Sequence, residues 1–170
     1  MRTEKVPHRG EDFRNLVTDY GDCLLRMCYL YLGDKMLAED AVQDTFIKAY
    51  RNWECYRGES SEKTWLTRIA INVCKNYRRT AWLRLVDRTV TPDTLREPEV
   101  LDVYEDGEVV RAVMKLPEMY KEVILLCYYQ ELSAQEIADA LKISRDAVFA
   151  RIKRAKQKLK PKLERWYFDE

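Results

Sequence analysis

The densest chemistry in this sequence is cationic. Between Ser144 and Arg165 stand Arg145, Arg151, Lys153, Arg154, Lys156, Lys158, Lys160, Lys162 and Arg165, against only Asp146 and Glu164. A helix so unbalanced repels itself without an anionic partner, and a phosphate backbone is such a partner. A second set, Arg68, Asn72, Lys75, Asn76 and Arg79, recurs at i, i+4, i+7, i+8 and i+11, which places all five on one helix face. Cationic and amide groups suit phosphates and base edges. Just upstream, Trp53, Tyr56 and Arg57 could stack on or enclose unpaired bases, although Trp and Tyr at helical spacing are more often core.

Covalent and metal chemistry have little to work with. The single histidine, His8, lies in a polar N-terminal stretch. Cys23, Cys28, Cys55, Cys74 and Cys127 are odd in number and fit no zinc or disulfide spacing, so they read as reduced thiols. No nucleophile–base set is recognisable. The expectation is therefore a protein that is not an enzyme, with no cofactor, no metal and no small-molecule substrate. There is no run of eighteen apolar residues, and no apolar segment follows the Met-Arg-Thr-Glu-Lys start, which points to a cytoplasmic protein.

The formal net charge is only +1, but the charges are segregated. From Val86 to Glu108 the acids are Asp87, Asp93, Glu97, Glu99, Asp102, Glu105, Asp106 and Glu108, against Arg88 and Arg96. With Pro92 and Pro98 in the same stretch, this reads as an extended acidic tether. On either side, apolar residues recur at helical spacing. A first helix, roughly 11 to 32, carries Phe13, Leu16, Val17, Tyr20, Leu24, Met27, Cys28 and Tyr31, and Gly33-Asp34 ends it. A second, roughly 35 to 53, carries Ala38, Val42, Phe46, Ala49, Tyr50 and Trp53. A third, roughly 62 to 82, buries Trp65, Leu66, Ile69, Val73 and Tyr77. Helices resume near Glu108, and Pro117 suits the first turn of a new one. The fold expected is all-α: two small helical domains, 11–84 and 108–165, joined by an acidic flexible linker, 85–107.

The basic helix has a partner in front of it. Ser133-Ala134-Gln135-Glu136 has the form of a capping box. Ile137, Ala138 and Leu141 make the inner face of a short helix, Lys142-Ile143 the turn, and Ser144 the cap of the next helix, which buries Val148, Ile152, Ala155, Leu159 and Leu163. This is a helix-turn-helix, spanning 133–155. In such a motif the second helix enters the major groove of duplex DNA, so Arg145, Phe149, Ala150, Arg151, Lys153 and Arg154 are the candidate contacts.

These residues carry a resemblance. The stretch from Ala38-Glu39-Asp40-Ala41-Val42-Gln43-Asp44 to Tyr50 is similar to region 2.2 of a bacterial sigma factor. Thr64-Trp65-Leu66 through Tyr77 resembles the end of region 2, and Leu116-Pro117 through Leu163 resembles region 4. The short length, with no domain between the two regions, resembles the extracytoplasmic-function (ECF) group. The resemblance implies that Asp40, Gln43 and Asp44 dock on the clamp coiled coil of core RNA polymerase. It implies that Asn72 and the loop around Tyr56, Arg57 and Ser60 capture a flipped base of a −10 element, with Lys75, Asn76, Arg78 and Arg79 holding the non-template strand and Arg68 among the −10 DNA-binding residues. It further implies that the 133–155 motif reads a −35 element as duplex promoter DNA, and that the tether threads near the polymerase channels. An anti-sigma factor, often membrane-anchored, is the expected inhibitor.

Two positions depart from the pattern. Lys142 stands where Gly is common in the turn. Phe149-Ala150 replaces a basic residue and a Ser, so Phe149 could either contact thymine methyls or pack against its own domain. A stand-alone helix-turn-helix regulator is the alternative, but no dimerisation helix is evident. An enzyme with a DNA-binding tail is a third reading. Trp166-Tyr167-Phe168 reads as a packing cluster at a helix end.

Overall fold

In a computed structural model the chain is described over residues 9–87 and 107–167, with side chains at 12–81 and 107–161. His8, the tether over 88–106, and the side chains of Leu163 and of Trp166-Tyr167-Phe168 lie outside the described residues. Those residues form helices and no strand: α1 (Arg9–Leu32), α2 (Lys35–Arg51), α3 (Glu62–Asp87), α4 (Gly107–Met114), α5 (Glu118–Ile124), α6 (Ala134–Leu141) and α7 (Arg145–Tyr167).

Local sequence explains most boundaries. Gly33 takes a left-handed φ of 73° and donates its N–H to the Tyr29 carbonyl at 2.8 Å, closing α1. Asp34 then caps α2, accepting from the Leu37 N–H at 2.9 Å. Between α2 and α3 runs a single 3₁₀ turn, Trp53–Cys55, and a loop turned by Gly58 at φ 71°. Pro117 lies one step outside its expected place. It stands before α5 with an extended ψ of 144°, and its carbonyl accepts from Tyr120 and Lys121 at 2.9 and 3.0 Å. The end of α5 widens into a π-helical turn, Leu125–Tyr129, which exposes Tyr128 and buries Gln130.

Helices α1–α3 form one bundle and α4–α7 another. In the first, Leu24, Met27, Cys28 and Tyr31 follow the i, i+3, i+4, i+7 rule and are buried against Ala38, Ala41, Leu66, Ala70 and Val73. Val17 and Tyr50, expected on the inner stripes, sit at the rim, 41% and 44% exposed. Tyr50 instead meets Phe13 edge-on at 5.0 Å. In the second bundle Ile137, Ala138 and Leu141 of α6 pack on Val148, Ala155 and Leu159 of α7. The bundles also touch: α4 and the π turn rest on α1, and α6 rests on α3.

Candidate nucleic-acid interfaces

The second bundle builds its interface from a fully capped turn. Ser133 Oγ accepts from the Glu136 N–H, while the Glu136 carboxylate accepts from the Ser133 N–H at 2.9 Å, so both halves of the capping box are made. Lys142 ends α6 in the left-handed region, φ 55° and ψ 47°, the conformation that a Gly would take without steric cost. Ser144 caps α7 by accepting from the Ala147 N–H at 3.1 Å. The tight turn aims the first turns of α7 outward. Arg145, Ala150, Lys153 and Arg154 are exposed and Arg151 is half-buried. Phe149 is 54% exposed, which disposes of the idea that it packs against its own domain. Among the described residues no carboxylate pairs with any of these four cations. Farther along, Lys156 and Lys158 lie over the rings of Tyr128 and Tyr120 at 5.3 and 5.8 Å, tying α7 to its own bundle.

On α3 the expected single face divides. Asn72, Asn76 and Arg79 are exposed. Lys75 and Arg78, with Arg68 at the margin, instead meet the second bundle. The Lys75 ammonium lies 3.2 Å from Glu122, Arg78 lies 3.7 Å from Glu118, and Arg68 lies 3.6 Å from Asp139. Thr64 and Thr67, on the same edge of α3, are buried. Thr64 donates to Glu136 at 2.8 Å and Thr67 to Gln130 at 3.3 Å. The Glu136 carboxyl is held below its ordinary range, first by the Ser133 N–H and then by the Thr64 hydroxyl. From α1, the Tyr31 hydroxyl is aimed at both Glu118 and Glu122. Burial, then the bond to Glu118, pushes its phenol far above the ordinary tyrosine value. None of these carboxylates stands out in the sequence as a ligand, and only the i, i+4 spacing of Glu118 and Glu122 hints at a shared face.

The aromatic loop is also more self-contained than its sequence suggests. Tyr56 packs against both Trp53 and Trp65, with centroids 5.8 and 4.9 Å away, and its hydroxyl donates to the Ser60 carbonyl at 2.5 Å. Trp53 stacks on Tyr56 and meets Trp65 edge-on at 5.9 Å, so the three rings close on one another. Next to them opens a cavity of about 340 Å³ lined by Tyr56, Arg57, Glu59, Ser60, Trp65 and Arg68. Buried beside it, Arg68 Nε has no hydrogen-bond acceptor among the described residues. Asn72 stands one turn beyond Arg68, outside the cavity lining.

The face of α2 keeps Asp40 and Gln43 exposed. Asp44 is partly committed inward, accepting from Tyr77 at 2.8 Å, and burial followed by that bond pushes the Tyr77 phenol up to about 12. Asp40 and Tyr77 share a second cavity, about 330 Å³, between α2 and α3. Among the described residues there is no His, Cys, Asp and Glu cluster fit for a metal, and no helix is long and apolar enough to cross a membrane.

Comparison with known proteins reproduces this two-part layout. A family model described as Sigma-70 region 2 matches residues 16–84, and one described as Sigma-70, region 4 matches residues 106–159. The chain is 31% identical over 177 residues to the ECF RNA polymerase sigma factor SigW of Bacillus subtilis, covering 95% of each chain. It is 34% identical over 162 residues to the RNA polymerase sigma factor YlaC of the same organism, covering 91% of this chain and 93% of that one. Among solved structures, it resembles the sigma factor RpoE from Bartonella quintana, in complex with the anti-sigma factor NepR, with a TM-score of 0.76. That likeness covers 94% and 99% of the two chains at 21% identity, and it speaks to the fold alone. CnrH, in complex with the cytosolic domain of CnrY, matches with a TM-score of 0.67 and 28% identity over 91% and 89% of the chains.

Proposed function

Given that the chain belongs to the ECF group of the sigma-70 family of RNA polymerase sigma factors, we propose that its two bundles divide the reading of one promoter while α2 holds core polymerase. The observation that carries this division is the contrast between the two cationic faces. The α7 face belongs to a capped helix-turn-helix and is exposed, as duplex recognition requires. The α3 face adjoins a cavity edged by Arg57, Arg68 and Ser60, as capture of an extruded base requires. Residues 11–84 are assigned to polymerase and the −10 element, 85–107 to the tether, and 108–165 to the −35 element.

The roles follow from chemistry. Asp40 and Gln43, with the free edge of Asp44, offer an acidic patch to the polymerase clamp. Arg145, Arg151, Lys153 and Arg154 neutralise phosphates along the major groove, with Phe149 and Ala150 presented to base edges. In the melted half, Asn72, Asn76, Lys75, Arg78 and Arg79 hold one strand, and Tyr56, Arg57 and Arg68 enclose a base. Duplex opening costs on the order of 1.4 kcal/mol per step, and aromatic stacking returns about 1–3 kcal/mol per base. Only a sequence whose extruded base fits the cavity makes melting favourable. No bond is made or broken in this role, and the chain acts by partitioning binding energy.

An anti-sigma factor as partner belongs to the same proposal, since the similar RpoE is seen with one. That such a partner is anchored in a membrane is its finer part. Run-off transcription with core polymerase tests the function: core plus this chain initiates at start sites that core alone does not use. A stand-alone regulator would bind duplex DNA without creating such starts, and that outcome would refute the assignment.

A further inference from the structure

Beside α7 a second aromatic ring is exposed that the helix-turn-helix itself does not account for. Tyr128 is 51% exposed, and the Lys156 ammonium lies 5.3 Å from the centre of its ring. We propose that Tyr128 and Lys156 together form a phosphate clamp, which grips the DNA backbone beside the bases that Phe149 faces.

Local structure brings the two together. At the end of α5 the helix widens into a π turn, where the Gln130 N–H donates to the Leu125 carbonyl at 3.0 Å. The widened turn presents Tyr128 outward while Gln130 is buried. Glu131, at a left-handed φ of 58°, then swings the chain into Ser133, the cap of α6. In a helix-turn-helix on DNA the first helix crosses the phosphate backbone, so Tyr128 stands on the approach to that crossing. On α7, Arg145, Phe149 and Lys156 recur at i, i+4 and i+11, which makes one stripe. Phe149 and Lys156 are about 10 Å apart along the helix axis, against a major groove about 12 Å wide. A ring at the groove floor therefore carries Lys156 to its wall.

The chemistry is that of two converging donors. Lys156 is exposed, and among the described residues no carboxylate pairs with it. Its ammonium donates to the Tyr128 hydroxyl oxygen, which raises the lysine pKa and keeps the group charged. The phenolic hydrogen is then left to donate outward. One phosphate can accept from both, the ammonium supplying charge and the phenol direction. The opposite flank of α7 shows what a plain brace looks like: Lys158 lies 5.8 Å from the centre of Tyr120, a half-buried ring in the first turn of α5.

The inference rests on the assignment of α7 to duplex DNA, and the experiment keeps the two apart. The full chain and its Tyr128→Phe, Lys156→Gln and Arg154→Ala variants, with Tyr120→Phe as control, are titrated onto a fluorescein-labelled 20-base-pair duplex between 50 and 200 mM salt. Phosphate contacts carry no sequence information, so a duplex of arbitrary sequence suffices. Tyr128→Phe keeps the ring and the cation over it and removes only the hydroxyl. Its binding should fall about fivefold, with the salt slope nearly unchanged. Lys156→Gln should reduce the slope by about 0.9, and in that background Tyr128→Phe should cost little. Tyr120→Phe should bind as the parent does, and an equal loss there overturns the proposal. Parental binding by both Tyr128→Phe and Lys156→Gln, beside a weakened Arg154→Ala, overturns the clamp and leaves the duplex assignment standing. Parental binding by Arg154→Ala as well overturns both. Urea unfolding of the same variants separates contact from packing. A Tyr128→Phe chain that loses stability in step with its binding makes the pair a brace and refutes the clamp.

Discussion

On α3, Arg68, Lys75 and Arg78 each face a carboxylate from the other bundle, whereas on α7, Arg145, Lys153 and Arg154 face solvent. In the sequence the two sets look alike: cations and polar residues on one side of a helix, an apolar stripe on the other. The difference comes from what the rest of the chain brings to each. The α7 helix is held by its own bundle along Val148, Ala155 and Leu159, which leaves its outer side free. The α3 helix is held by α1 and α2 on one side, and along Thr64, Thr67 and Lys75 the second bundle leans on it. Availability of a charged face is thus a tertiary property, even where its composition is local.

The largest effect expected from breaking this contrast lies in a cation behind the covered face. Lys121 is 5% exposed, and its pKa is pulled down to about 8, first by burial and then by Arg78 across the boundary, against an opposing pull from Glu118. Its folded value lies below the unfolded one, so the penalty for carrying charge is complete below about pH 8. It fades as pH rises towards 10.5. From 10.5 to about 8 corresponds to roughly 3 kcal/mol at 1.36 kcal/mol per pH unit, an upper bound. Lys121→Met should therefore resist urea better than the parent at pH 7, by about 2–3 kcal/mol, with the gap narrowing steadily above pH 8. A gap that stays constant from pH 7 to 10 would mean that the charge of Lys121 is not the source of the gain.

Next in size is a direct comparison of the two faces in the free chain. Arg154→Ala should weaken binding to a short DNA duplex about tenfold, as loss of a charge-assisted contact worth at least roughly 1.5 kcal/mol would, and should lower the salt slope by about 0.9. Lys75→Ala should weaken binding of a single-stranded oligonucleotide by a smaller factor, because Glu122 lies 3.2 Å from that ammonium in the free chain. Fluorescence anisotropy between 50 and 200 mM salt measures both. Equal losses in the two variants would erase the distinction between covered and open.

How much of this was legible beforehand follows the range of the interactions. The capping box at Ser133–Glu136, the cap at Ser144 and the stop at Gly33-Asp34 are settled within three or four residues, and the structure has them as the sequence implies. The all-α fold in two bundles and the burial of Ile137, Ala138, Leu141 and Val148 follow from periodicity. The pairing of Lys75 with Glu122 joins residues on opposite sides of the tether, and no local pattern encodes it. Likewise Trp53 and Tyr56 advertise open stacking surfaces in one dimension, but in three they pack on each other and on Trp65, and Tyr56 lines the cavity together with Arg57, Ser60 and Arg68. Glu136 was readable as a capping residue. Its second partner, Thr64, was not.

The smallest expected effect concerns Phe149, where the open face departs most from a plain phosphate binder. A large ring left 54% exposed among cations costs solvation in the free chain and has few apolar groups to meet in a major groove, the thymine 5-methyl being the one that base pairs offer. Holoenzyme selection from promoter fragments randomised over the −35 element should therefore enrich thymine at the position facing this side chain. Replacing that thymine by deoxyuridine removes one methyl, worth about 0.8 kcal/mol when buried, or about a fourfold loss in affinity. In the Phe149→Ala holoenzyme the same replacement should cost almost nothing, because the ring that buried the methyl is gone. The pairing of base and side-chain changes matters more than either alone. A deoxyuridine penalty that persists in Phe149→Ala would assign the methyl contact to another residue and return Phe149 to a merely tolerated surface ring.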